Sequence, residues 1–427
     1  VTAVHVIHHW NPEDRRFWDG PGHAVAARNL GISVAALMLA FAVWMTWSIV
    51  VVHLPAAGFR FSTNQLYWLA ALPALSGATL RFVYAFAVPL VGGRRFTVLA
   101  TASLLLPALG LGFAVQNPAT PYEVMVLMAL LAGLGGANFA SSMAHISFFY
   151  PQAQLGTALG LNAGLGNLGV SLAQLVLPLV VTVGVIGAPQ AGGLWLQNAG
   201  FVWVPLTVAA TLAAWFGMND LAGARGSFAE QAVIFKRKHN WLLCWLYAGT
   251  FGSFIGLAAA LPLLVAGRFP RADAALLVWL GPLVGALARA LGGWASDRLG
   301  GARVTLWAFA ALAAGTLALW AAFDAAQLAG VLAAAALLFA AAGVGNGSTF
   351  RMIPIVFRHA PTEAAAVLGF ASAIGAYGGF FIPKAIGSSI ALAGSPAPAF
   401  ATFVVFYLSC MAITWWHYGR RFAALPC

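Results

Sequence analysis

Apolar stretches of 20 or more residues recur along the whole of this 427-residue chain. Each is long enough to cross a hydrocarbon core of about 30 Å. A backbone exposed to lipid must satisfy its own hydrogen bonds, so repeated spans of this kind fold as helices. Composition excludes a soluble alternative: 62% of residues are hydrophobic and 7% charged, against roughly 25% charged in soluble domains. Hydropathy predicts twelve spans, at 30–54, 66–91, 96–116, 122–150, 154–186, 198–218, 240–267, 274–296, 302–323, 327–357, 363–392 and 397–418. The expected fold is an all-α membrane protein.

The polar remainder sets orientation. With the N-terminus inside, fourteen lysines and arginines fall on the inner side, among them Arg225, Arg421 and the Lys236-Arg237-Lys238 run; only Arg60, Arg268 and Arg271 fall outside. The positive-inside rule then places both termini in the cytoplasm of a multi-pass cell-membrane protein. The net charge of +11 needs no nucleic acid to explain it, because these residues face anionic lipid. The first 28 residues show no cleavable signal peptide. They hold His5, His8 and His9 without the carboxylates and outer shell of a metal site. Cys244, Cys410 and Cys427 are scattered without ligand spacing, so no metal or cofactor is expected.

The chain repeats itself. At a shift of 208 residues Gly77 meets Gly285, Arg81 meets Arg289, Gly92 and Gly93 meet Gly300 and Gly301, and Arg95 meets Arg303. At a shift of 209, Gly160, Gly166 and Gly169 meet Gly369, Gly375 and Gly378. Arginine matches in register with glycine matches imply duplication. The resulting plan is a cytoplasmic segment 1–29, a six-helix half 30–218, a linker 219–239, and a second half 240–427 with a short tail. Two parallel six-helix halves are the plan of the major facilitator superfamily. The run from Gly292 through Asp297 and Arg298 to Arg303 resembles that superfamily's loop motif, while its counterpart at Gly92-Gly93-Arg94-Arg95 lacks the aspartate.

Charge inside a membrane is expensive and usually functional. Arg81 and Arg289 each precede their glycine turn by eleven residues, or roughly 16 Å of helix. That depth is near the midplane, where a two-repeat carrier holds its substrate. All ten acidic residues lie in termini, loops or span ends, so neither arginine has an obvious counter-ion. Two unpaired guanidiniums cost several kcal/mol or more, a cost that a bound anion relieves. Arginine's planar fork also suits a planar oxyanion. The plain alternative is that both arginines only pin the structure to backbone carbonyls and water. For Arg351, which lies near Arg358 and the inner end, and for Lys384, near the outer face, structural roles are expected.

Glycines punctuate the fifth span, from Gly160 through Asn162, Gly164, Gly166 and Asn167 to Gly169, and the eleventh, from Gly369 through Gly375 to Gly378-Gly379. Small residues let helices approach closely and would permit the halves to slide, with Gly166 and Gly375 in matching places. Packing alone accounts for the glycines, but not for the two asparagines. These segments resemble the signatures of the nitrate/nitrite porter family, as do Gly135–Phe149 in the fourth span and Gly345–Pro354 in the tenth. His145 stands where the family pattern carries asparagine.

The resemblance implies a nitrate/nitrite transporter working by alternating access, with the anion clamped between Arg81 and Arg289. It also implies an aromatic sandwich of Phe139 and Phe251 around the planar anion, with Asn167 as a further contact. Tyr247, four residues before Phe251, shares its helix face and offers a hydroxyl. Nitrate and nitrite are the expected partners, and a monomer the expected functional unit. Nitrate/nitrite antiport is favoured over nitrate–proton symport, for which His145 would be the titrating group. A membrane nitrate receptor would be expected to carry a soluble signalling domain. An enzyme is not expected, for there is no HExxH, no paired carboxylate and no Gly-x-Ser-x-Gly context.

Overall fold

The long apolar runs are helices in this computed structural model, which describes residues 5–223, 232–270, 277–420, 423 and 427. Arg225, Glu230, Arg271, Asp273 and Arg421 therefore lie outside the described residues. The first half comprises α1 (His23–His53), α2 (Thr63–Val91), α3 in two pieces (Gly93–Ala102 and Leu105–Ala114), α4 (Tyr122–Ser147), α5 (Gln152–Val180) and α6 (Asn198–Phe201 with Trp203–Gly217). The second comprises α7 (Lys238–Arg268), α8 (Leu280–Leu299), α9 (Gly301–Asp324), α10 (Leu328–Val356), α11 in two pieces (Pro361–Ala376 and Gly378–Ala393) and α12 (Ala397–Thr414). Eleven of the helical stretches are long and apolar enough to cross a membrane. The twelfth, α8, has 20 residues and carries Arg289, Asp297 and Arg298.

Local chemistry explains several boundaries. Ser62 and Gln65 form a reciprocal capping box that starts α2, satisfying two otherwise orphaned donors. Gly92 and Gly300 end α2 and α8 with φ of +97° and +89°, a conformation that favours glycine at both repeat-related turns. The fifth span stops at Val180, short of the expected 186, because Gly184 and Gly187 lead the chain into exposed turns. The eighth helix starts at Leu280 rather than 274: residues 277–279 form a turn, and 274–276 lie outside the described residues.

One end of the bundle gathers the polar segments. A short parallel pair joins β1 (Val6–Ile7) to β2 (Asp220–Leu221), with Val6 opposite Asp220. Buried Asp220 accepts from Arg94 N at 2.8 Å, at the start of α3, and lies 3.8 Å from Arg95. In the matching place of the second half, the Cys427 carbonyl accepts from Ala302 N at 3.0 Å. The end of α2 has no counterpart to Asp297 of α8, but Asp220 brings a carboxylate to the turn after α2 from the linker. Glu13 accepts from Gln152 N at 2.8 Å, at the start of α5. Arg237 holds Glu363 through bonds of 2.7 and 2.8 Å, and this pairing depresses the Glu363 carboxyl below the usual carboxylate range. We call this the terminal end.

Glycine controls how closely helices meet within each half. A Cβ on Gly133 would strike Ser76 and the Gly77 backbone, joining α4 to α2; one on Gly343 would strike the Gly285 carbonyl, joining α10 to α8. Between the halves the contacts gather away from the terminal end. There Ser171 Oγ donates to the Trp279 carbonyl at 2.9 Å and Gln174 donates to the Ala258 carbonyl at 2.7 Å. Thr79 and Tyr377 share a hydrogen bond of 2.9 Å nearer mid-depth. Ser171, Asn167, Gly164 and Gly160 form one stripe of α5 at three- and four-residue spacing. Nearer the terminal end that stripe is largely uncovered: a Cβ on Gly160 or Gly164 would meet no heavy atom within 4 Å, and the same holds for Gly369 on α11, while one on Gly156 would come 3.9 Å from Arg351 of α10.

The expected sliding pair is corrected by this geometry. Gly166 packs on Leu37 of α1, and Gly375 on Tyr247 of α7, each within its own half. They sit about 100° around the helix from the seam residues next to them in sequence. Gly378 lies so close to the Gly252 backbone of α7 that a side chain there would displace main chain. Gly378→Leu should therefore lower stability by about 1–3 kcal/mol through overpacking, whereas Gly369→Leu should leave it within roughly 0.5 kcal/mol. Melting curves of the purified variants check this; equal losses would mean that α11 is as tightly covered at Gly369 as at Gly378.

Candidate functional site

The tight packing of α2 on α4 brings the Gly136 carbonyl within 2.9 Å of Arg81 Nε. Arg81 Nη1 crosses to the other half and donates to the Ser372 carbonyl of α11 at 2.6 Å. Its remaining nitrogen, Nη2, has no hydrogen-bond partner among the described residues, although the side chain is 1% exposed. Arg289 projects from the equivalent point of α8, is 6% exposed, and leaves Nη1 without a partner. The two guanidiniums lie within electrostatic reach of each other and of Tyr247. Neither forms an ion pair: the carboxylates in the described ion pairs belong to Asp19, Asp220, Asp297 and Glu363.

Aromatic rings fill the space around and between the arginines. The Arg81 guanidinium carbon lies 4.7 Å from the Phe139 ring centre, 5.3 Å from Phe251 and 5.5 Å from Trp44. Phe139 of α4 and Phe251 of α7 stack across the halves at 6.3 Å with planes 30° apart. Tyr247 stacks on Phe251 at 5.4 Å and contacts Phe350 at 5.3 Å. Phe350 in turn receives the Arg289 guanidinium at 5.0 Å. A continuous series of ring faces thus links one arginine to the other. The negative face of each ring stabilises cation charge by about 0.5–2 kcal/mol, without supplying the anion that would neutralise it.

Of the six site residues expected from sequence, five enter this arrangement: Arg81, Arg289, Phe139, Phe251 and Tyr247. The Tyr247 hydroxyl is buried and unpartnered. Asn167 lies on the seam stripe of α5, wholly buried, with both amide atoms unpartnered and no hydrogen bond to the other five. Asn162 is different. It donates to Ser142 Oγ at 2.7 Å, which bonds Ser33 at 2.7 Å, tying α5, α4 and α1 together inside one half. Arg351, for which a structural role was expected, pairs with Asp297, both half exposed. His145 is buried against Gly93 and the edge of Phe149, near the terminal end rather than at the arginines.

Sequence reasoning missed Trp44, Phe350 and the carbonyls of Gly136 and Ser372. Phe350 adjoins Arg351 inside a segment already singled out, but a phenylalanine carries no mark of its partner. One signal was available: at the shift of 208, Asn138 meets Asn346, and both are buried with an unpartnered side-chain oxygen.

Comparison with known proteins bears on this arrangement. The sequence model of the Major Facilitator Superfamily matches residues 32–383. The nitrate/nitrite transporter NarU of Salmonella typhimurium is 51% identical, over 98% of this chain and 97% of that protein. NarU of Escherichia coli is 48% identical, over the same shares. A probable nitrate/nitrite antiporter, NarK2 of Thermus thermophilus, is 41% identical, again over 98% and 97%. Among solved structures, a D-xylose-proton symporter superposes with a TM-score of 0.74 at 15% identity, covering 94% of this chain and 98% of that one.

An uncompensated buried charge trades stability for function. Arg289, with no hydrogen bond or ion pair to its side chain among the described residues, is the clearer case. Replacing it with methionine removes a desolvated cation while retaining apolar contact with Phe350. In the absence of ligand, Arg289→Met should raise stability by about 1 kcal/mol or more, read as a higher melting temperature of the purified protein. A lower melting temperature would make Arg289 a structural pin.

Proposed function

This chain belongs to the nitrate/nitrite porter family of the major facilitator superfamily, and we propose from that premise that it carries nitrate and nitrite across a membrane in exchange for each other. The observation that carries the reading is the pair of buried arginines, one from each half, each with an unpartnered guanidinium nitrogen and no paired carboxylate among the described residues. A planar monovalent oxyanion accepts from both forks and neutralises part of the charge. The Tyr247 hydroxyl supplies a further donor, and the Asn167 amide lies on the same seam. A planar anion between Phe139 and Phe251 needs two van der Waals contacts of roughly 3.5 Å each. The present 6.3 Å spacing must therefore widen by less than about 1 Å, a shift within reach of rings borne on different halves.

Transport follows from the two-half construction. The seam is closed away from the terminal end and uncovered toward it at Gly160, Gly164 and Gly369. Both termini and the linker are cytoplasmic in this reading, so the uncovered end faces the cytoplasm. Rocking the halves about the arginine pair exposes the anion to each side in turn. The unloaded carrier must bring two unpaired guanidiniums together in a dry seam, which costs several kcal/mol; the loaded carrier does so with an anion between them. Reorientation is therefore fast only when loaded, and that inequality is the basis of exchange. Because each arginine comes from a different half, a single chain holds the whole site and acts as a monomer. His145 packs on Gly93 rather than facing the arginines, so proton symport has no titrating group at the anion.

Two measurements test this. Proteoliposomes of the purified chain should take up nitrate only when loaded with nitrite or nitrate, with little response to an imposed pH gradient at clamped potential. Uptake into unloaded vesicles driven by protons, and lost in His145→Asn, would replace exchange with symport. Arg81→Lys and Arg289→Lys keep the charge but lose the fork, and each should weaken nitrate binding roughly 10–100-fold. Near-normal binding in both would remove the clamp.

A further inference from the structure

Of the three lysines in this chain, Lys236 and Lys238 belong to the linker end, while Lys384 lies within the membrane span Ala366–Ala393. It sits in the second piece of α11, nine residues before Ala393, or roughly 14 Å inside that end of the helix. Its ammonium donates to Ser388 Oγ at 2.6 Å and lies 4.5 Å from the ring centre of Trp68. No carboxylate pairs with it among the described residues. Trp68 belongs to α2, in the other half, and also packs on Phe380 at 5.7 Å. One turn further along α11, Gly387 lies against Tyr67, so the two halves meet closely on both sides of the lysine. Lys384 therefore stands in the closed part of the seam, with the face of an aromatic ring as its principal counter-group.

We infer that Lys384 is a second anion site, where nitrate or nitrite is captured from the face opposite the termini before passing inward to Arg81 and Arg289. The inference rests on the exchange reading above. When the seam opens at this end, Trp68 and Lys384 move apart because they ride on different halves. The ammonium then faces the cleft with two N–H donors beyond the one bonded to Ser388. When the seam closes, the Trp68 ring returns and takes the place of the anion as the group that stabilises the cation. Ring and anion thus compete for one ammonium. Ser372, whose carbonyl holds Arg81, lies twelve residues earlier in α11, or roughly 18 Å away along the helix. An anion captured at Lys384 is then drawn inward along α11 by the stronger paired charges. A positive group inside a low-dielectric cleft raises the local anion concentration and the capture rate. Lysine suits capture and release better than a clamp, because it offers point charge without a fixed fork.

The test is face-specific kinetics of the full chain in proteoliposomes of known sidedness, with nitrite inside and nitrate outside, and then reversed. Lys384→Gln should raise KM for nitrate about 3–10-fold at the face opposite the termini. Turnover and KM at the terminal face should stay unchanged, and Lys384→Arg should restore capture. The difference should shrink as salt is raised to about 0.5 M, which screens a charge in an open cleft. Trp68→Leu removes the ring but keeps the ammonium, so it should not raise KM at that face. An unchanged KM in Lys384→Gln overturns the inference. So does a loss of turnover with a lower melting temperature, or a Trp68→Leu variant that copies Lys384→Gln, since both mark a structural pin between halves. Failure of the exchange reading is seen separately, as wild-type uptake that needs no internal anion.

Discussion

Two like charges buried within the bundle, with no carboxylate paired to either among the described residues, are the constraint around which this protein is built. Arg81 and Arg289 are nearly inaccessible, and at such depth a lone guanidinium is costly. The chain answers with devices that lower the cost without removing it. Backbone carbonyls of Gly136 and Ser372 accept two of the Arg81 nitrogens, and aromatic faces line the path between the arginines. A carboxylate would pair more strongly, but among the described residues none lies in an ion pair with either arginine.

The same requirement explains the glycines. Arg81 reaches a main-chain carbonyl of α4 only because α2 and α4 approach with no side chain between them at Gly77 and Gly133. The second half repeats the device at Gly285 and Gly343. Packing of this closeness makes each half a stiff unit, since any added carbon would have to move main chain. Contacts across the seam, by contrast, include hydrogen bonds and single ring faces such as Ser171 to Trp279 and Lys384 to Trp68. At the terminal end, the Asp220 and Cys427 contacts cap α3 and α9 in parallel fashion. They bind segments within the halves rather than the halves to each other.

Much of this was legible in the residues. Helices crossing a membrane follow from apolar length, and duplication follows from Arg81 and Arg289 repeating in register with Gly92 and Gly300. The lack of acidic residues within the spans singled out Arg81 and Arg289 as candidate site residues. Tyr247 and Phe251 share a face because they are four residues apart, and they do stack. The roles of Gly166 and Gly375 were not legible: a glycine in a helix announces close approach but not the direction of the approach. Phe350 and Trp44 were lost among many similar residues, since a ring becomes a cation's partner only through position. By its distance along the span Lys384 was expected near the outer face in a structural role, whereas its neighbour Trp68 comes from a helix some 300 residues earlier in the chain.

Sequence alone therefore determined the membrane fold, its two-fold repeat and the two charged residues at its centre, because these depend on local quantities: apolar length, periodicity, and the cost of burying a charge. Tertiary structure decided which groups meet across the halves: Arg81 with Ser372, Phe139 with Phe251, and Lys384 with Trp68. It also decided at which end the seam is closed. Those pairings join residues more than 100 positions apart, and the energies involved are a few hydrogen bonds and ring contacts. No pattern along one strand of chain encodes such contacts. They exist only once two rigid halves are set against each other.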